Sequence, residues 1–336
     1  MIIINDFFKR KIEAVSMQME YLKDATNGKI ITATRFMNQK SFQKNDRKDK
    51  IFVYPPFLYH IILLFNVIFS NHDIHIFEEE PSFYKRVIFN MFKKNVYVSM
   101  YREPFPKYVE HLKKYKKLAG VFVELDYHKD ILVNLGISKN LVHVSYTPSK
   151  LPILSNKKKI DINHINLLFA SWNNAEGNPL HERGLIYLLD LLVLNDNFYL
   201  TVILRDNDVF QFIKEIEKRK LNNRVKMINV TEEQLVYEFD KCDFVVYAIQ
   251  KKLTKDVPNS IIDGLARGKP SIISSVFGFS KIVDNEKIGY IIEPNTKPNK
   301  FTIDINKYNK MSKKCSIVAK NHTSDKYVKS IISHYR

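Results

Sequence analysis

Apolar runs of four to six residues alternate with longer amphipathic stretches along most of the chain. Residues 2–5 and 29–34 read as β-strands on either side of a helix that runs through Lys23, with Asn27-Gly28 as the turn. Residues 41–50 are polar and charged without apolar periodicity, the pattern of an exposed loop. An apolar helix from about Pro56 follows, then strands at 73–77, 95–100, 120–124 and 142–145. Between these strands lie helices starting near Ser82, spanning 108–118, and starting near His128. Strand and helix in regular alternation predict a parallel sheet covered on both faces.

The pattern lapses between Thr147 and His164, where Pro148, Pro152 and the run Lys157-Lys158-Lys159 replace it, and then restarts. Strands are predicted at 165–170, 199–204, 225–228, 244–248 and 271–274, with helices at 184–194, 209–219, 232–241 and 260–266. The expected organisation is a first lobe over residues 1–150, a linker over 151–164, a second lobe over 165–300, and a tail over 301–336. The tail is weakly helical and in such folds often packs back on the first lobe. Two doubly wound sheets in succession would present the C-terminal ends of their strands, where open α/β sheets bind ligands, to a central cleft.

Length agrees: 336 residues suit two lobes of about 150 each. Hydrophobic residues make up 45% and charged residues 26%, a globular balance. Cys242 and Cys315 are too few for a disulfide framework or a cysteine-held zinc, and the ten histidines are scattered, so no metal site is expected. The start, MIIINDFFKRK, has the reverse polarity of a signal peptide, and a cytoplasmic location is expected. The longest apolar run, residues 57–69, falls short of the roughly 20 residues of a membrane span and reads as a buried helix.

The net charge of +17 changes the picture, because it implies attraction to anionic surfaces. Residues 1–150 hold 24 Lys and Arg against 15 Asp and Glu, and the remainder 29 against 21, so the excess is not one basic tail. A plain solvated surface accounts for such an excess as well; as a partner, anionic lipid is expected ahead of nucleic acid, with the protein then peripheral on the inner membrane face.

The richest segment is Lys255-Asp256-Val257-Pro258-Asn259-Ser260-Ile261-Ile262-Asp263-Gly264-Leu265-Ala266-Arg267-Gly268-Lys269-Pro270. Pro258 closes a loop, Asn259 or Ser260 is placed to cap the helix that follows, and that helix start offers amides to a diphosphate. Asp263, one turn in, is placed to accept from ribose hydroxyls. Gly268 and Pro270 end the helix.

This segment resembles glycosyltransferase family 4, whose members carry the form E-G-x-P-N-x-x-x-E-A-x-A-x-G-x-P-V-I. The resemblance implies the GT-B fold of two Rossmann-like lobes and hexosyl transfer, with retention, from a nucleotide sugar, UDP- or GDP-linked. The family's second acid falls on Asp263 and its first on Lys255, with Asp256 beside it as a substitute. Its Gly-Arg pair falls on Ser171-Trp172 and its Lys-Gly pair on Arg183-Gly184. Arg183 and then Arg205 are the cations expected to neutralise the leaving diphosphate, and residues 276–292 resemble the family's glycine turn and hairpin. In the first lobe, Glu79 and Glu80, with Tyr101 and Arg102, are the acceptor-side candidates.

No phosphate-binding G-x-x-x-x-G-K occurs, and charge on the leaving group is expected to be met by protein cations without a metal or other cofactor. The acceptor expected is a glycan or lipid-linked glycan, as in polysaccharide biosynthesis. A nucleic-acid glucosyltransferase and a non-catalytic GT-B scaffold or partner subunit are the alternatives.

Overall fold

The computed structural model describes residues 1–5, 14–33, 50–53, 58–78, 83–154, 160–170, 179–203, 209–251 and 255–335. The chain divides into two compact units, one of residues 1–148 with 324–336, the other of residues 149–323.

The first unit is a parallel sheet of seven strands: β1 (Ile2–Asn5), β2 (Lys29–Ala33), β3 (Lys50–Val53), β4 (Ile74–Glu78), β5 (Val96–Met100), β6 (Leu118–Val123) and β7 (Val142–Val144). Their spatial order is β3-β2-β1-β4-β5-β6-β7. The helices α1 (Ala14–Thr26), α2 (Tyr59–Ile68), α3 (Phe83–Met91), α4 (Pro106–Leu112) and α5 (Asp126–Asn134) connect them. Side chains alternate across the sheet, as a period of two requires. Ile2 and Ile4 join Ile76, Val98 and Val121 on one face, while Ile3 joins Met19, Tyr97 and Phe122 on the other. Both faces are therefore apolar and both are covered.

The second unit has six parallel strands, β8 (Ile165–Phe169), β9 (Phe198–Ile203), β10 (Val225–Ile228), β11 (Phe244–Tyr247), β12 (Ser271–Ser274) and β13 (Gly289–Ile292). They lie in the order β10-β9-β8-β11-β12-β13, the doubly wound arrangement whose direction of winding reverses between β8 and β11. The helices are α6 (Pro179–Glu182), α7 (Leu185–Leu194), α8 (Phe210–Lys218), α9 (Glu232–Lys241), α10 (Asn259–Ala266), α11 (Phe279–Asn285) and α12 (Ile305–Ala319). A last helix, α13 (Ser324–Ile332), belongs to the first unit, where Tyr327 and Ile331 share a core with Met19 and Leu22 of α1.

Local chemistry sets several of these boundaries. Thr231 and Gln234 form a reciprocal capping box at the start of α9. At the other end of α10, Gly268 takes a left-handed φ of 67° while the Lys269 N–H donates back to the Gly264 carbonyl.

Three expectations are corrected. Residues 276–292 do not form a hairpin: α11 fills the interval and β13 pairs parallel to β12. The apolar helix after Pro56 is buried along one face only, by Tyr59, Leu63 and Val67, while Phe65 is 55% exposed. A strand, β3, begins at Lys50, which ion-pairs with Glu20 of α1. The remainder of the predicted loop, residues 41–49, lies outside the described residues. So do Glu79, Glu80, the Lys157-Lys158-Lys159 run, Ser171, Trp172 and Arg205.

Candidate functional site

Candidate residues of the second unit gather where the chain leaves β8 and β11. Between α6 and α7 the chain turns at Arg183-Gly184, and Gly184, with φ 74°, is the N-cap residue of α7. A Cβ on Gly184 would lie 1.8 Å from the Ala248 carbonyl oxygen, so this turn is pressed against the chain just beyond β11. The Gln250 N–H donates to the Glu182 carbonyl at 2.9 Å and fixes the same junction. The backbone that carries Arg183 is thus fastened to the segment that leads to Lys255.

The Arg183 Nε is buried and finds no hydrogen-bond acceptor among the described residues. A buried N–H left unpaired costs about 1 to 3 kcal/mol, so a guanidinium held this way favours an incoming acceptor, best of all an anion. Arg183 follows the last turn of α6 as well as preceding α7, so the C-terminal end of one short helix partly offsets the unfavourable start of the next.

At the start of α10, the N-cap residue is Pro258 and no side chain caps the helix. Asn259 therefore does not serve as the expected cap; its Oδ1 accepts from the Lys255 Nζ at 3.0 Å. Ser260 is buried in the first turn. The main-chain amides at this end, beside an ammonium, form the positive group that a phosphate requires.

Asp256 is fully buried, and its Oδ1 accepts the Gly278 N–H at 3.2 Å while its carbonyl accepts from Phe279. Its carboxylate therefore secures the start of α11. Offered from sequence as a substitute sugar contact, it acts in this structure as a staple between loops.

Asp263 is likewise bonded within the protein. Its Oδ1 accepts from the Ser149 hydroxyl at 2.9 Å and from the Lys150 N–H at 2.8 Å. Burial pushes the carboxyl pKa up, against the pull of these donors in the other direction. One turn later Arg267 grips Asp240 through two nitrogens at 2.6 Å and donates to the Pro152 carbonyl at 3.1 Å. Leu154 closes the series by donating to the Ala266 carbonyl. In this structure the Asp263 side chain ties residues 149–150 to α10.

In the first unit, Tyr101 is 2% exposed and stacks with Phe77 at a centroid distance of 6.1 Å, so it belongs to the core. Arg102 is half-buried beside it in sequence. Sequence reasoning missed His75, which is fully buried on β4. Its Nδ1 lies 2.6 Å from the Tyr335 hydroxyl and its Nε2 2.8 Å from the Ser99 hydroxyl. Alternating apolar neighbours, Ile74 and Ile76, marked that position as inward-facing or outward-facing only once the sheet was known to be covered on both sides.

Residues 177–325 match the family described as Glycosyl transferases group 1. No curated protein matches the sequence. Among solved structures, HepE (Alr3699) of Anabaena in complex with UDP is similar at a TM-score of 0.72 and 13% identity, over 99% of this chain and 98% of that one. A glycosyltransferase from Rickettsia africae gives 0.70 at 14% identity, over 99% and 97%. The lipopolysaccharide outer core galactosyltransferase WaaB in its apo form gives 0.65 at 12%, over 99% and 98%. Residues 177–325 are thus similar to Glycosyl transferases group 1, and the fold is that of GT-B structures, with two parallel-sheet, Rossmann-like lobes.

Proposed function

We propose that the protein is a glycosyltransferase that takes a hexose from a UDP- or GDP-sugar and transfers it to a glycan or lipid-linked glycan, as in polysaccharide biosynthesis. The observation that carries this reading is a coincidence of place. The Glycosyl transferases group 1 match includes the turn where Arg183 holds a buried N–H without an acceptor among the described residues, beyond the strands where doubly wound sheets bind their ligands. HepE in complex with UDP-glucose supports a uridine donor.

In this reading Arg183, Lys255 and the first amides of α10 bear on the diphosphate, whose charge grows as the glycosidic bond breaks. Pro258, Asn259 and Ser260 shape the helix start, Gly184 positions Arg183, and Ser171 and Arg205 stand on the adjoining segments of the sequence. Asp263 is a positioning residue. Retention at the anomeric carbon is what the family 4 likeness implies, with a leaving-group oxygen taking the acceptor's proton and no side chain assigned as general base. Protein cations supply the charge, so no metal or other cofactor is invoked.

The deciding experiment is a thermal-shift and hydrolysis screen of the purified chain against UDP-, GDP- and other nucleotide sugars. A donor at a hundred times its Kd raises stability by about 2.7 kcal/mol, which a melting curve detects. Stabilisation by one donor together with its slow hydrolysis is expected; no stabilisation by any nucleotide sugar at millimolar concentration would overturn the proposal. Lys255, standing where the family has an acid, favours a second reading as a non-catalytic partner subunit. Donor hydrolysis or sugar transfer by the purified chain would eliminate that reading.

A further inference from the structure

Helices α2 and α3 pack side by side in the first unit, and the face they turn away from the sheet is apolar. Ile61 and Phe65 on α2, with Phe69 just after it, and Phe83, Val87 and Met91 on α3 are all exposed, Phe69 to 82%. The rings adjoin: Phe65 stacks with Phe69 at 6.2 Å, and His60 of α2 meets Tyr84 of α3 at 5.1 Å. Single exposed apolar residues are ordinary, but a group of this kind across two neighbouring helices marks a binding surface.

The two helices themselves carry only basic charge. Neither helix contains an acidic residue, and the Arg86 guanidinium lies 5.2 Å from the centre of the Phe83 ring. At the far end of α3, Asn90 clamps the following loop: its Nδ2 donates to the Lys114 carbonyl at 2.8 Å and its Oδ1 accepts from the Lys116 N–H at 2.7 Å. Lys114, Lys116 and Lys117 are thereby held exposed beside α3, while Glu110 is paired with Lys113. Buried His111 registers the same field, its pKa lowered to about 4 by desolvation and then by Arg86, Lys85 and Lys114.

We propose that the α2–α3 face docks on a bilayer surface rich in anionic headgroups. Its apolar side chains enter the interface, and Arg86, Lys114, Lys116 and Lys117 reach the phosphates. The charge decides between occupants. A second copy meeting the same face about a two-fold axis would bring these cations against their own kind, whereas an anionic leaflet complements them. The geometry is that of a helix pair lying on the membrane: α2 has 10 residues, about 15 Å of helix, against a hydrocarbon core of roughly 30 Å. No helix among the described residues is long and apolar enough to cross a membrane. The proposal stands whether or not the chain transfers sugars.

The test is co-flotation of the full chain with vesicles of phosphatidylcholine alone and of phosphatidylcholine mixed with phosphatidylglycerol. Binding is expected to the mixed vesicles and to weaken steeply with salt. A Phe65→Ser, Phe69→Ser double variant should lose it by tenfold or more on the scale of buried apolar groups, with an unchanged melting temperature because both rings are exposed. A Lys114→Gln, Lys116→Gln, Lys117→Gln variant should lose roughly a hundredfold, from the attraction each lysine contributes near an anionic surface. Absence of flotation with either vesicle, or flotation that neither variant reduces, overturns the proposal. A concentration-dependent dimer in light scattering that Phe69→Ser abolishes would assign the face to a second copy instead and overturn it equally.

Discussion

The Ser149 hydroxyl donates to the Asp263 Oδ1 at 2.9 Å, joining residues 114 positions apart. Pro148 is the last residue of the first unit before the linker and Ser149 the first of the second, so this bond fixes the chain at its point of passage. Lys150 adds its N–H to the same oxygen, and Arg267 holds the Pro152 carbonyl one turn further along α10. The helix whose N-terminus is proposed to face the diphosphate is also the post to which the linker is tied.

Removing the carboxylate by Asp263→Ala leaves the Ser149 hydroxyl and Lys150 N–H without their acceptor and should cost about 1 to 3 kcal/mol. Asp263→Asn keeps an oxygen at that place and removes a charge whose burial raises the pKa, so it should be tolerated. The sign of the pH dependence follows from that shift. The folded state holds the Asp263 proton more tightly than the unfolded chain, whose value is 3.8, so the stability linked to it is full below that value and lost as pH rises through the raised folded pKa. The asparagine variant should gain on the wild type over that rise and then keep a constant margin. Urea titrations across acid to neutral pH check this; equal losses for both variants would contradict it.

His75 shifts in the direction that weakens the fold in acid. Burial lowers its pKa from 6.5 to about 3, and burial first of all lowers His111 and His143 to about 4. An unfolded chain would take up these protons sooner. Stability should therefore be full above pH 6.5 and fall toward pH 4 by up to about 1.4 kcal/mol per pH unit for each imidazole that stays neutral. His143 is more exposed and contributes less. His75→Phe should flatten the slope while losing the bonds to Tyr335 and Ser99, a combination that denaturation at pH 5 and pH 7.5 separates from simple destabilisation.

How much of this was legible in sequence depends on the range over which each feature is determined. The strands 225–228 and 271–274 and the helix 232–241 were predicted to the residue, because apolar runs, glycine and proline stops, and the Thr231 cap act locally. The strand β3 was not, because four residues after a charged run gain their pairing only from β2. Nor could hydropathy say that α2 leaves Phe65 and Phe69 in solvent, since an apolar helix reads alike whether one side or both are covered. The segment from Lys255 to Lys269 stands out in sequence as the region of interest, but the partners of Asp263, Ser149 and Lys150, lie 114 and 113 positions away, and local pattern cannot supply them.

Gly184 is the strictest backbone position at the site. A methyl group would meet the Ala248 carbonyl oxygen at 1.8 Å and would also have to accept a φ of 74°. Gly184→Ala should destabilise the second unit by about 3 kcal/mol or more, as strain and overlap act together. Denaturation monitored through the second unit tests this; a variant as stable as the wild type would mean that the Arg183 turn is free to move away from Ala248.

Turnover should survive chelation. Arg183 and Lys255 are proposed to carry the charge that a divalent ion otherwise supplies, so excess EDTA should leave the rate unchanged. Loss of rate that magnesium or manganese restores would contradict this.

Arg183 separates an active transferase from a protein that only binds nucleotide sugars. Its Nε is buried with no acceptor among the described residues, so the cost of burying it is borne before any donor arrives. A diphosphate offers that N–H a charged acceptor, and the charge increases as the glycosidic bond breaks, so the interaction strengthens from ground state to transition state. Arg183→Ala should therefore lower kcat by roughly 10²-fold or more while weakening donor binding less. Arg183→Lys should recover part of the rate, because a point charge replaces the guanidinium in strength but not in its forked geometry. Without donor, the alanine variant should be as stable as the wild type or slightly more so, since it removes a cation whose buried N–H has no acceptor among the described residues. Steady-state kinetics, donor isotherms and melting curves on the three proteins decide the matter together. Full turnover in Arg183→Ala, or unfolding of that variant, would make Arg183 structural and move the diphosphate to Lys255 and the α10 amides.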